Sequence, residues 1–375
     1  MRLLYVTDAL AVHGGIERVL IDKANWLSEH GFEVFILTAN QGDHSYVYPL
    51  QSAVSCYDLQ IQFHQQYNYS GIKKLLIGKR LHHLFRDRLA NKIKEFNPDV
   101  IICLRLDYLR DLLEVKGFVP LVFESHSSRL ASCFEGDSLL CRLHVLYLQL
   151  AVRKADMVVA LTKGDAEEWR KLTSKVCVIP NVVHLNEGDS FSDCTSKSAI
   201  FVGRFSRQKD VGSLLRIWSL VHQSHPDWCL HIYGGYGEEQ ETIFANIRQM
   251  NAGIQIHEPT SDIIEKYKQN SILLLTSRYE PFGLVIPEAM SCGLPVVAFD
   301  CPYGPAELIT DGVDGYLIKN RNIDVFAERI CQLIQSEPLR QNMGKRAIES
   351  SQCYQRNEIM QKWMNLFSSF LDLSK

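Results

Sequence analysis

The chain has 375 residues, of which 46% are apolar and 22% are charged; this composition excludes a disordered or fibrous protein, and the length favours two domains. Its 40 Lys and Arg residues against 43 Asp and Glu residues give a formal net charge of -3, which argues against a protein that binds nucleic acid over its whole surface. No apolar run approaches the ~18 residues of a transmembrane helix, and the N-terminus lacks a signal-peptide core. We therefore expect a cytoplasmic protein with no nucleic-acid partner.

The first half of the chain alternates short apolar segments with amphipathic helical patterns. The apolar segments span residues 3–7, 34–38, 100–104, 121–123 and 157–161. Segments that are apolar throughout are typical of parallel strands with both faces buried. After the first of them, apolar residues recur with helical spacing until Gly31. This alternation of strands and helices predicts a doubly wound parallel sheet.

The same pattern starts again in the second half, where the apolar segments span residues 199–202, 230–233, 254–257, 272–275 and 296–299. Between the halves, residues 184–197 are polar and lack periodicity, as expected of a linker. The sequence thus predicts an α/β protein with two doubly wound, Rossmann-like domains, residues 1–190 and 191–355, that face a central cleft. Residues 356–375 are expected to form a helix whose apolar face packs back toward the N-terminal domain.

One segment of the N-terminal domain departs from the near-neutral charge of the chain. Residues 71–95 contain eight basic and two acidic residues, a local charge of +6, between apolar residues at helical spacing. An amphipathic basic helix of this kind is suited to lie on an anionic lipid surface. An ordinary solvated helix that covers the domain core explains the pattern equally well.

Ligands of open parallel sheets bind beyond the carboxyl ends of the strands, so the loops after strands are the first places to search for a site. The loop after the first strand carries Gly14 and Gly15 just before a helix, where backbone N–H groups can approach an anion closely. A simple glycine turn is the alternative. The loop after the strand at 199–202 carries three cations within six residues, among them Arg204 and Lys209. They suit a diphosphate, or they form a solvated charged turn.

A later loop, after the strand at 272–275, contains two carboxylates. Pro281 keeps Glu280 out of helical geometry, whereas Glu288 lies in the first turns of the helix that follows. Backbone amides of residues 282–284 would be unpaired at the start of this helix and able to hold a phosphate. Carboxylates are good acceptors for paired hydroxyls, so one suits a sugar and the other a ribose. An ordinary pair of surface acids is the alternative.

Together these residues match a known family. Glu280-x7-Glu288, with Phe282-Gly283 between the carboxylates and Ala-Met-x-Cys-Gly-x-Pro-Val-Val after them, resembles the signature of the retaining GT-B glycosyltransferases of family 4, or glycosyltransferase group 1. Further segments are similar to the family pattern, namely Gly14-Gly15, Gly203-Arg204 with Lys209, Gly234-Gly235-Tyr236-Gly237 and, without the family's glycine, Asn181-Val182-Val183. The resemblance therefore spans most of the chain.

The resemblance implies a role for each matched position. Arg204 and Lys209 would clamp the donor diphosphate. Glu280 would contact hydroxyls of the donor sugar, and Glu288 would contact the ribose. His126 stands where the family often has a histidine near the donor sugar, and a capping or core histidine is the alternative. The implied catalytic residues are Glu280, Lys209, Arg204 and His126, and the implied donor-binding residues are Gly14, Gly15, Arg204, Lys209, Phe282, Gly283, Leu284 and Glu288.

The implied activity is transfer of a hexose or N-acetylhexosamine from a nucleoside diphosphate sugar, expected to be a UDP-sugar, to a saccharide acceptor that is lipid-linked or part of a cell-envelope polysaccharide. The family retains anomeric configuration and generally needs no metal. The chain has no Asp-x-Asp motif at a strand end and no Cys-x-x-Cys pair among its eleven cysteines, so we expect no metal or other cofactor. Because many family members act on lipid-linked saccharides, the resemblance favours contact of residues 71–95 with the inner face of the cytoplasmic membrane.

Other functions compete with this reading. A nucleotide-sugar epimerase or hydrolase could use the same fold without an acceptor, and a catalytically silent, membrane-associated binding protein could also share it. The joint presence of Glu280, Glu288, Arg204 and Lys209 argues against the silent protein. A dinucleotide-dependent oxidoreductase would carry Gly-x-Gly-x-x-Gly after the first strand, which residues 8–17 lack.

Overall fold

The computed structural model describes residues 1–12, 14–130, 139–250 and 252–372. The chain divides into two units, of which the first comprises Met1–Val182 with the C-terminal segment from Ile359, and the second comprises Val183–Glu358. Each unit is built on an open sheet of parallel strands, and helices connect consecutive strands except β2 and β3, which a loop joins. The α/β fold class and the two doubly wound sheets predicted from the apolar segments are confirmed.

The first sheet has the strand order β3-β2-β1-β4-β5-β6-β7. Its strands are β1 (Arg2–Thr7), β2 (Glu33–Thr38), β3 (Ser55–Asp58), β4 (Val100–Cys103), β5 (Leu121–Ser125), β6 (Met157–Ala160) and β7 (Val176–Val178). The helices between them are α1 (Gly15–Glu29), α2 (Gly71–Phe96), α3 (Leu106–Val115), α4 (Leu139–Gln149) and α5 (Lys163–Arg170). Successive residues of β1 point to opposite faces, so Tyr5 packs in one apolar core and Val6 in another.

The second sheet has the strand order β10-β9-β8-β11-β12-β13. Its strands are β8 (Ser198–Gly203), β9 (Cys229–Gly234), β10 (Ile254–His257), β11 (Ile272–Leu275), β12 (Val296–Phe299) and β13 (Gly315–Ile318). Its helices are α6 (Val211–Ser224), α7 (Gln240–Gln249), α8 (Ile263–Lys268), α9 (Val285–Ser291), α10 (Gly304–Leu308), α11 (Ile323–Gln335) and α12 (Glu337–Ser351). A core of buried residues from the strands and from α6 and α11 holds this unit together.

The C-terminal helix α13 (Arg356–Asp372) packs into the first unit. Ile359, Met360, Trp363 and Phe367 are buried in the core that also contains Tyr5 of β1. Residues 359 and 360 are followed at intervals of three or four by residues 363 and 367, so a single apolar face of the helix enters the core. Among the described residues, no helix is both long enough and apolar enough to cross a membrane.

The boundary between the units differs from the predicted one. The second unit begins at Val183 rather than at residue 191, because the segment predicted as a linker is bound to it. The amide of Asn186 donates to the hydroxyl of Ser291 over 2.9 Å, and the amide of Ser192 donates to the carbonyl of Cys292 over 2.8 Å. The C-terminal helix begins at Arg356, as predicted, and its residues belong to the first unit from Ile359 onward. Polar composition without periodicity could not show that this segment belongs to the second unit, because its hydrogen bonds are made by backbone amides.

Candidate active site

The second sheet reverses its winding direction between β8 and β11. From β8 the chain adds β9 and β10 on one side, and it then crosses to β11, from which β12 and β13 extend on the other side. Ligands of doubly wound sheets bind beyond the carboxyl ends of the strands at such a switch point. The loops that follow β8 and β11 carry Arg204, Lys209 and Glu280, so three of the predicted catalytic residues stand where the topology favours a ligand.

The loop after β8 presents two cations. Arg204 follows the last strand residue and is exposed, and Lys209 lies one residue before Asp210. The carboxylate of Asp210 caps α6, since it accepts hydrogen bonds of 3.3 Å from the amide of Ser213 and 2.9 Å from its hydroxyl. Such a side chain satisfies amides that the first helical turn leaves unpaired. The cap therefore fixes the end of the loop and, with it, the backbone of Lys209.

The loops after β8 and β11 are joined by hydrogen bonds. The amide of Arg278 donates over 2.8 Å to a carbonyl of the β8 loop, and the hydroxyl of Thr276 donates over 3.0 Å to the carbonyl of Lys209. The ammonium of Lys209 forms an ion pair with Oε1 of Glu280. The hydroxyl of Ser277 donates a 2.7 Å hydrogen bond to the same oxygen. Two of the predicted catalytic residues, Lys209 and Glu280, are thus in direct contact.

Two arginines converge on the carboxylate of Asp210. Arg321 donates to its Oδ2 over 2.6 Å, and a guanidinium nitrogen of Arg278 lies 3.1 Å from the same oxygen. Arg321 also donates to the carbonyls of Thr276 and Ser277 over 2.9 and 2.7 Å. This cluster, which ties the β8 loop to the β11 loop, was not found from the sequence. An Asp just before a helix predicts a cap, but nothing local predicts its arginine partners.

The second predicted carboxylate, Glu288, lies in the first turn of α9 and is buried. The hydroxyl of Tyr267, in α8, donates a hydrogen bond of 3.2 Å to its Oε2. Because a buried carboxylate is costly unless it is hydrogen-bonded, this contact helps to hold Glu288 in one orientation. The sequence placed Glu288 on the helix correctly but gave no sign of Tyr267.

The residues predicted to offer backbone amides, 282–284, come directly before α9. Gly283 has a φ of +91°, in the region that favours glycine, and Leu284 is the residue at the start of the helix. The ring of Phe282 is buried and packs edge-on against Tyr354, with ring centroids 5.6 Å apart. The side chain of Phe282 therefore serves packing, and contact with a ligand is left to its backbone.

The first sheet has its own switch point, between β1 and β4. After β1, Gly14 is the residue at which α1 starts and Gly15 is the first residue of the helix. At the same edge, the hydroxyl of Tyr108 donates a hydrogen bond of 2.7 Å to Asp8, which joins the β1 loop to α3. Sequence reasoning did not single out this pair. A carboxylate directly after an apolar strand was the available signal.

His126 follows β5 and its side chain is buried, with Nε2 3.2 Å from Oε1 of Glu124. Both carboxylate oxygens of Glu124 accept hydrogen bonds of 2.5 Å from the ammonium of Lys23. Burial alone raises the pKa of Glu124, but Lys23 and His126 outweigh burial and hold the pKa at about 2. The predicted strand ends at Phe123, whereas β5 continues through Glu124 and Ser125, so the contact of Glu124 with Lys23 was not predicted.

The predicted residues therefore gather within each unit separately. The second unit holds Arg204, Lys209, Phe282, Gly283, Leu284, Glu280 and Glu288, and the first unit holds Gly14, Gly15 and His126. Among the side chains that the structure describes, no group of three or more His, Cys, Asp or Glu residues is arranged to hold a metal ion.

Two family models together match most of the chain. The model described as Glycosyltransferase Family 4 matches residues 13–187, and the model described as Glycosyl transferases group 1 matches residues 186–350. The two matches meet within a few residues of Val183, where the second unit begins. The division of the chain by family models thus agrees with its division by structure.

Relatives that match over most of both chains are also named as glycosyltransferases. The amylovoran biosynthesis glycosyltransferase AmsD of Erwinia amylovora is 30% identical over 98% of this chain and 99% of its own length. The lipopolysaccharide 1,6-galactosyltransferase of Escherichia coli K12 is 25% identical over 90% of each chain. Among solved structures, TarM of S. aureus in complex with fondaparinux, alpha-GlcNAc-glycerol and UDP is similar with a TM-score of 0.79 and 17% identity, over 98% of this chain and 99% of that chain. This last similarity shows a shared fold.

Proposed function

We propose a specific reaction for this chain, which belongs to the glycosyltransferases of group 1 and family 4, has their GT-B fold and is therefore a glycosyltransferase. In this reaction, the enzyme moves a hexose or N-acetylhexosamine from a UDP-sugar to a saccharide acceptor with retention of anomeric configuration. The proposed acceptor is a lipid-linked saccharide or a polysaccharide of the cell envelope. Relatives named for lipopolysaccharide and amylovoran synthesis support an acceptor of this class.

The observation that carries this proposal is the ion pair of Lys209 with Glu280 at the switch point of the second sheet. An ammonium beside a carboxylate can serve both parts of a nucleotide sugar, since the ammonium attracts the diphosphate and the carboxylate accepts bonds from sugar hydroxyls. Arg204, exposed on the same loop, supplies a second cation. The UDP bound in the TarM structure supports a uridine nucleotide as donor.

The proposed chemistry follows from where charge develops. Cleavage of the bond between sugar and diphosphate places negative charge on the leaving group, and groups that stabilise this charge lower the barrier. We assign this role to Lys209 and Arg204. The contact with Glu280 holds the ammonium in place before the donor binds. An oxygen of the leaving phosphate then takes the proton of the incoming hydroxyl on the same face of the sugar, which retains the configuration without a protein nucleophile.

Other predicted residues of the second unit belong to the proposed site. Glu288, oriented by Tyr267, binds the ribose hydroxyls, and the amides of residues 282–284 face the diphosphate. For Gly15 and His126, which belong to the first unit, the roles implied by the resemblance remain predictions. We propose that the reaction needs no metal, so transfer is expected to persist in the presence of EDTA.

Helix α2 supports a second element of the proposal, contact with an anionic membrane. The C-terminal half of α2 covers the core, where Phe85 and Leu89 are fully buried. The N-terminal half is different: Ile72 is 77% exposed, and Leu75 and Leu76 are each 60% exposed, next to basic residues of the +6 segment. Of the two alternatives that the sequence left open, the buried residues support a helix that covers the core, and the exposed apolar residues of the N-terminal half support the proposed lipid contact. Exposed apolar residues beside cations are typical of helices that lie on anionic lipid.

The test of the proposed function is an assay of nucleotide release from a panel of nucleoside diphosphate sugars, with and without a saccharide acceptor. Release of UDP that depends on the acceptor, with product of unchanged anomeric configuration by NMR, is the expected result. Equal release with and without acceptor would identify a hydrolase. Conversion of the sugar without release would identify an epimerase, and the absence of any turnover would identify a binding protein.

A further inference from the structure

The main chain of Glu280 is hydrogen-bonded to the loop that follows β12. Its amide donates to the carbonyl of Pro302 over 2.7 Å, and its carbonyl accepts hydrogen bonds of 2.8 Å from the amides of Tyr303 and Gly304. This bridge lies beyond the ends of β11 and β12, which are already paired along their own length. The bridge therefore fixes a loop residue of the candidate site and is not needed to hold the sheet together.

Gly304 allows the two loops to approach this closely. A Cβ atom added to Gly304 would lie 1.8 Å from the carbonyl oxygen of Phe282, which is far inside the contact distance of two non-bonded atoms. A glycine is required here because backbone meets backbone, and its use for such a close approach is common. Any side chain at this position would push the loop of Glu280 away from the loop after β12.

The side chain of Glu280 is held at one of its two oxygens. The carboxylate is 4% exposed, and the side-chain bonds that the structure describes for it both go to Oε1. The hydroxyl of Ser277, which is fully buried, donates to this oxygen over 2.7 Å, and the ammonium of Lys209 pairs with it. A carboxylate oxygen can accept further hydrogen bonds, so this arrangement leaves Oε2 to a ligand.

We propose that Gly304 and Ser277 are positioning residues for sugar transfer, which together fix Glu280 so that Oε2 meets a hydroxyl of the donor sugar. Gly304 sets the main chain of Glu280 through the bridge, and Ser277 sets its carboxylate. Neither residue needs to touch the sugar. This inference rests on the proposed function, in which Glu280 accepts hydrogen bonds from the donor sugar. A misplacement of about 1 Å at such a contact can cost about 100-fold in rate.

The first experiment measures binding and needs no turnover. Calorimetry gives the Kd of UDP and those of UDP-glucose, UDP-galactose and UDP-N-acetylglucosamine. The ratio of the Kd of UDP to that of the best-bound UDP-sugar reports on the sugar contact, because any change in nucleotide binding cancels. Gly304→Ala and Ser277→Ala are each expected to lower this ratio by about tenfold.

The matched controls are Gly188→Ala and Ser224→Ala, which change exposed residues of the same unit. A Cβ atom at Gly188 would lie 3.5 Å from its nearest neighbour, so it has room. Both controls are expected to keep the wild-type ratio. A wild-type ratio in Ser277→Ala would overturn the proposal, and so would a wild-type ratio in a folded Gly304→Ala protein. Because Ser277→Ala removes only a hydroxyl, it remains a test if Gly304→Ala does not fold.

The second experiment measures kcat under saturating donor, at a temperature well below the melting temperature of each variant. Gly304→Ala and Ser277→Ala are each expected to lose at least about tenfold in kcat. In a Glu280→Gln background, Ser277→Ala is expected to have no further effect, because Ser277 acts through Glu280. Lower melting temperatures with wild-type kcat would show a role in stability alone and overturn the proposal.

The two experiments separate this inference from the proposed function. A wild type that binds UDP-sugars but transfers no sugar would reject the proposed function, whereas the ratio of the Kd values would still decide whether Gly304 and Ser277 position Glu280. A wild type that transfers sugar, together with variants that keep both the wild-type ratio and the wild-type kcat, would overturn this inference and leave the proposed function in place.

Discussion

The ammonium of Lys209 and the carboxylate of Glu280 form an ion pair between the loops that follow β8 and β11. If Lys209 stabilises the charge that grows on the leaving diphosphate, Lys209→Ala lowers kcat by more than about tenfold. The measurement is nucleotide release under saturating donor. Lys345→Ala, which removes an exposed lysine of the same unit, is expected to match the wild type. An unchanged kcat in Lys209→Ala would end the assignment.

The hydrogen bond from Tyr267 to Glu288 gives a prediction about donor binding. Tyr267→Phe removes only the hydroxyl that orients the carboxylate. A hydrogen bond to a charged group contributes about 1.5–3 kcal/mol, so the Kd for UDP is expected to rise by about tenfold or more. Calorimetry with UDP measures this, with Tyr316→Phe as the control in the same unit. Equal affinity of Tyr267→Phe and wild type for UDP would argue against a contact between Glu288 and the ribose.

The carboxylate of Asp210 is predicted to stabilise the second unit through its two arginines. Asp210→Asn keeps a side chain that caps a helix well but removes the charge that Arg321 and Arg278 approach. The free energy of unfolding is expected to fall by about 1–3 kcal/mol, as measured by urea denaturation. Asp324→Asn changes an exposed acid in the first turn of α11 and should have little effect. Equal stability of the two variants would show that the arginine contacts contribute nothing.

The pKa of Glu124 predicts loss of stability in acid. Its folded pKa of about 2 lies below its ordinary 4.5, so its contribution is complete above pH 4.5 and is lost as the pH falls from 4.5 toward 2. The charged and titratable groups that face it are Lys23 of α1, His126 after β5 and Tyr5 of β1.

Thermal melts between pH 6 and the acid range test this prediction. The melting temperature of the wild type is expected to fall more steeply with acid than that of the Lys23→Met, Glu124→Leu double variant, because the variant has no carboxylate to protonate. Parallel curves for the two proteins would contradict it.

The exposed half of α2 predicts binding to anionic lipid. Lys73→Glu with Lys74→Glu reverses two charges beside Ile72 and is expected to weaken binding to vesicles that contain phosphatidylglycerol by about tenfold or more. Lys94→Glu, at the other end of the same helix, is the matched control. Equal sedimentation of the wild type with phosphatidylcholine vesicles and with vesicles that contain phosphatidylglycerol would exclude the contact.

The sequence predicted the central strands well because they are apolar without interruption. It missed β3, β7 and β13, which lie at the edges of the sheets. An edge strand needs less apolar surface, and β3 carries a carboxylate while the residues of β7 are only partly buried. The predicted β5 is too short for a related reason. A charged residue such as Glu124 indicates the end of a buried strand unless its partner is known, and the lysine that neutralises Glu124 lies 101 residues away.

The position of a site residue was predictable from the sequence where the topology of the sheet determines it. Lys209 and Glu280 each follow a strand, and neighbouring parallel strands end at the same edge of a sheet, so their proximity could be anticipated. Contacts made by helices could not, because no local pattern relates Tyr267 to Glu288 or Lys23 to Glu124. Such pairs depend on which helix face meets a neighbouring helix or strand, and that is fixed by packing of the whole core.

The first unit takes residues from both ends of the chain, since Trp363 and Phe367 of α13 fill a core that β1 begins. During synthesis, this core therefore cannot form completely until α13 has been made, and more than half of the chain has to be synthesised between β1 and α13. Until then, one face of the first sheet exposes apolar surface that α13 later covers, while the second unit can fold from a continuous segment. A chain that stops before α13 would leave this apolar face of the first sheet uncovered.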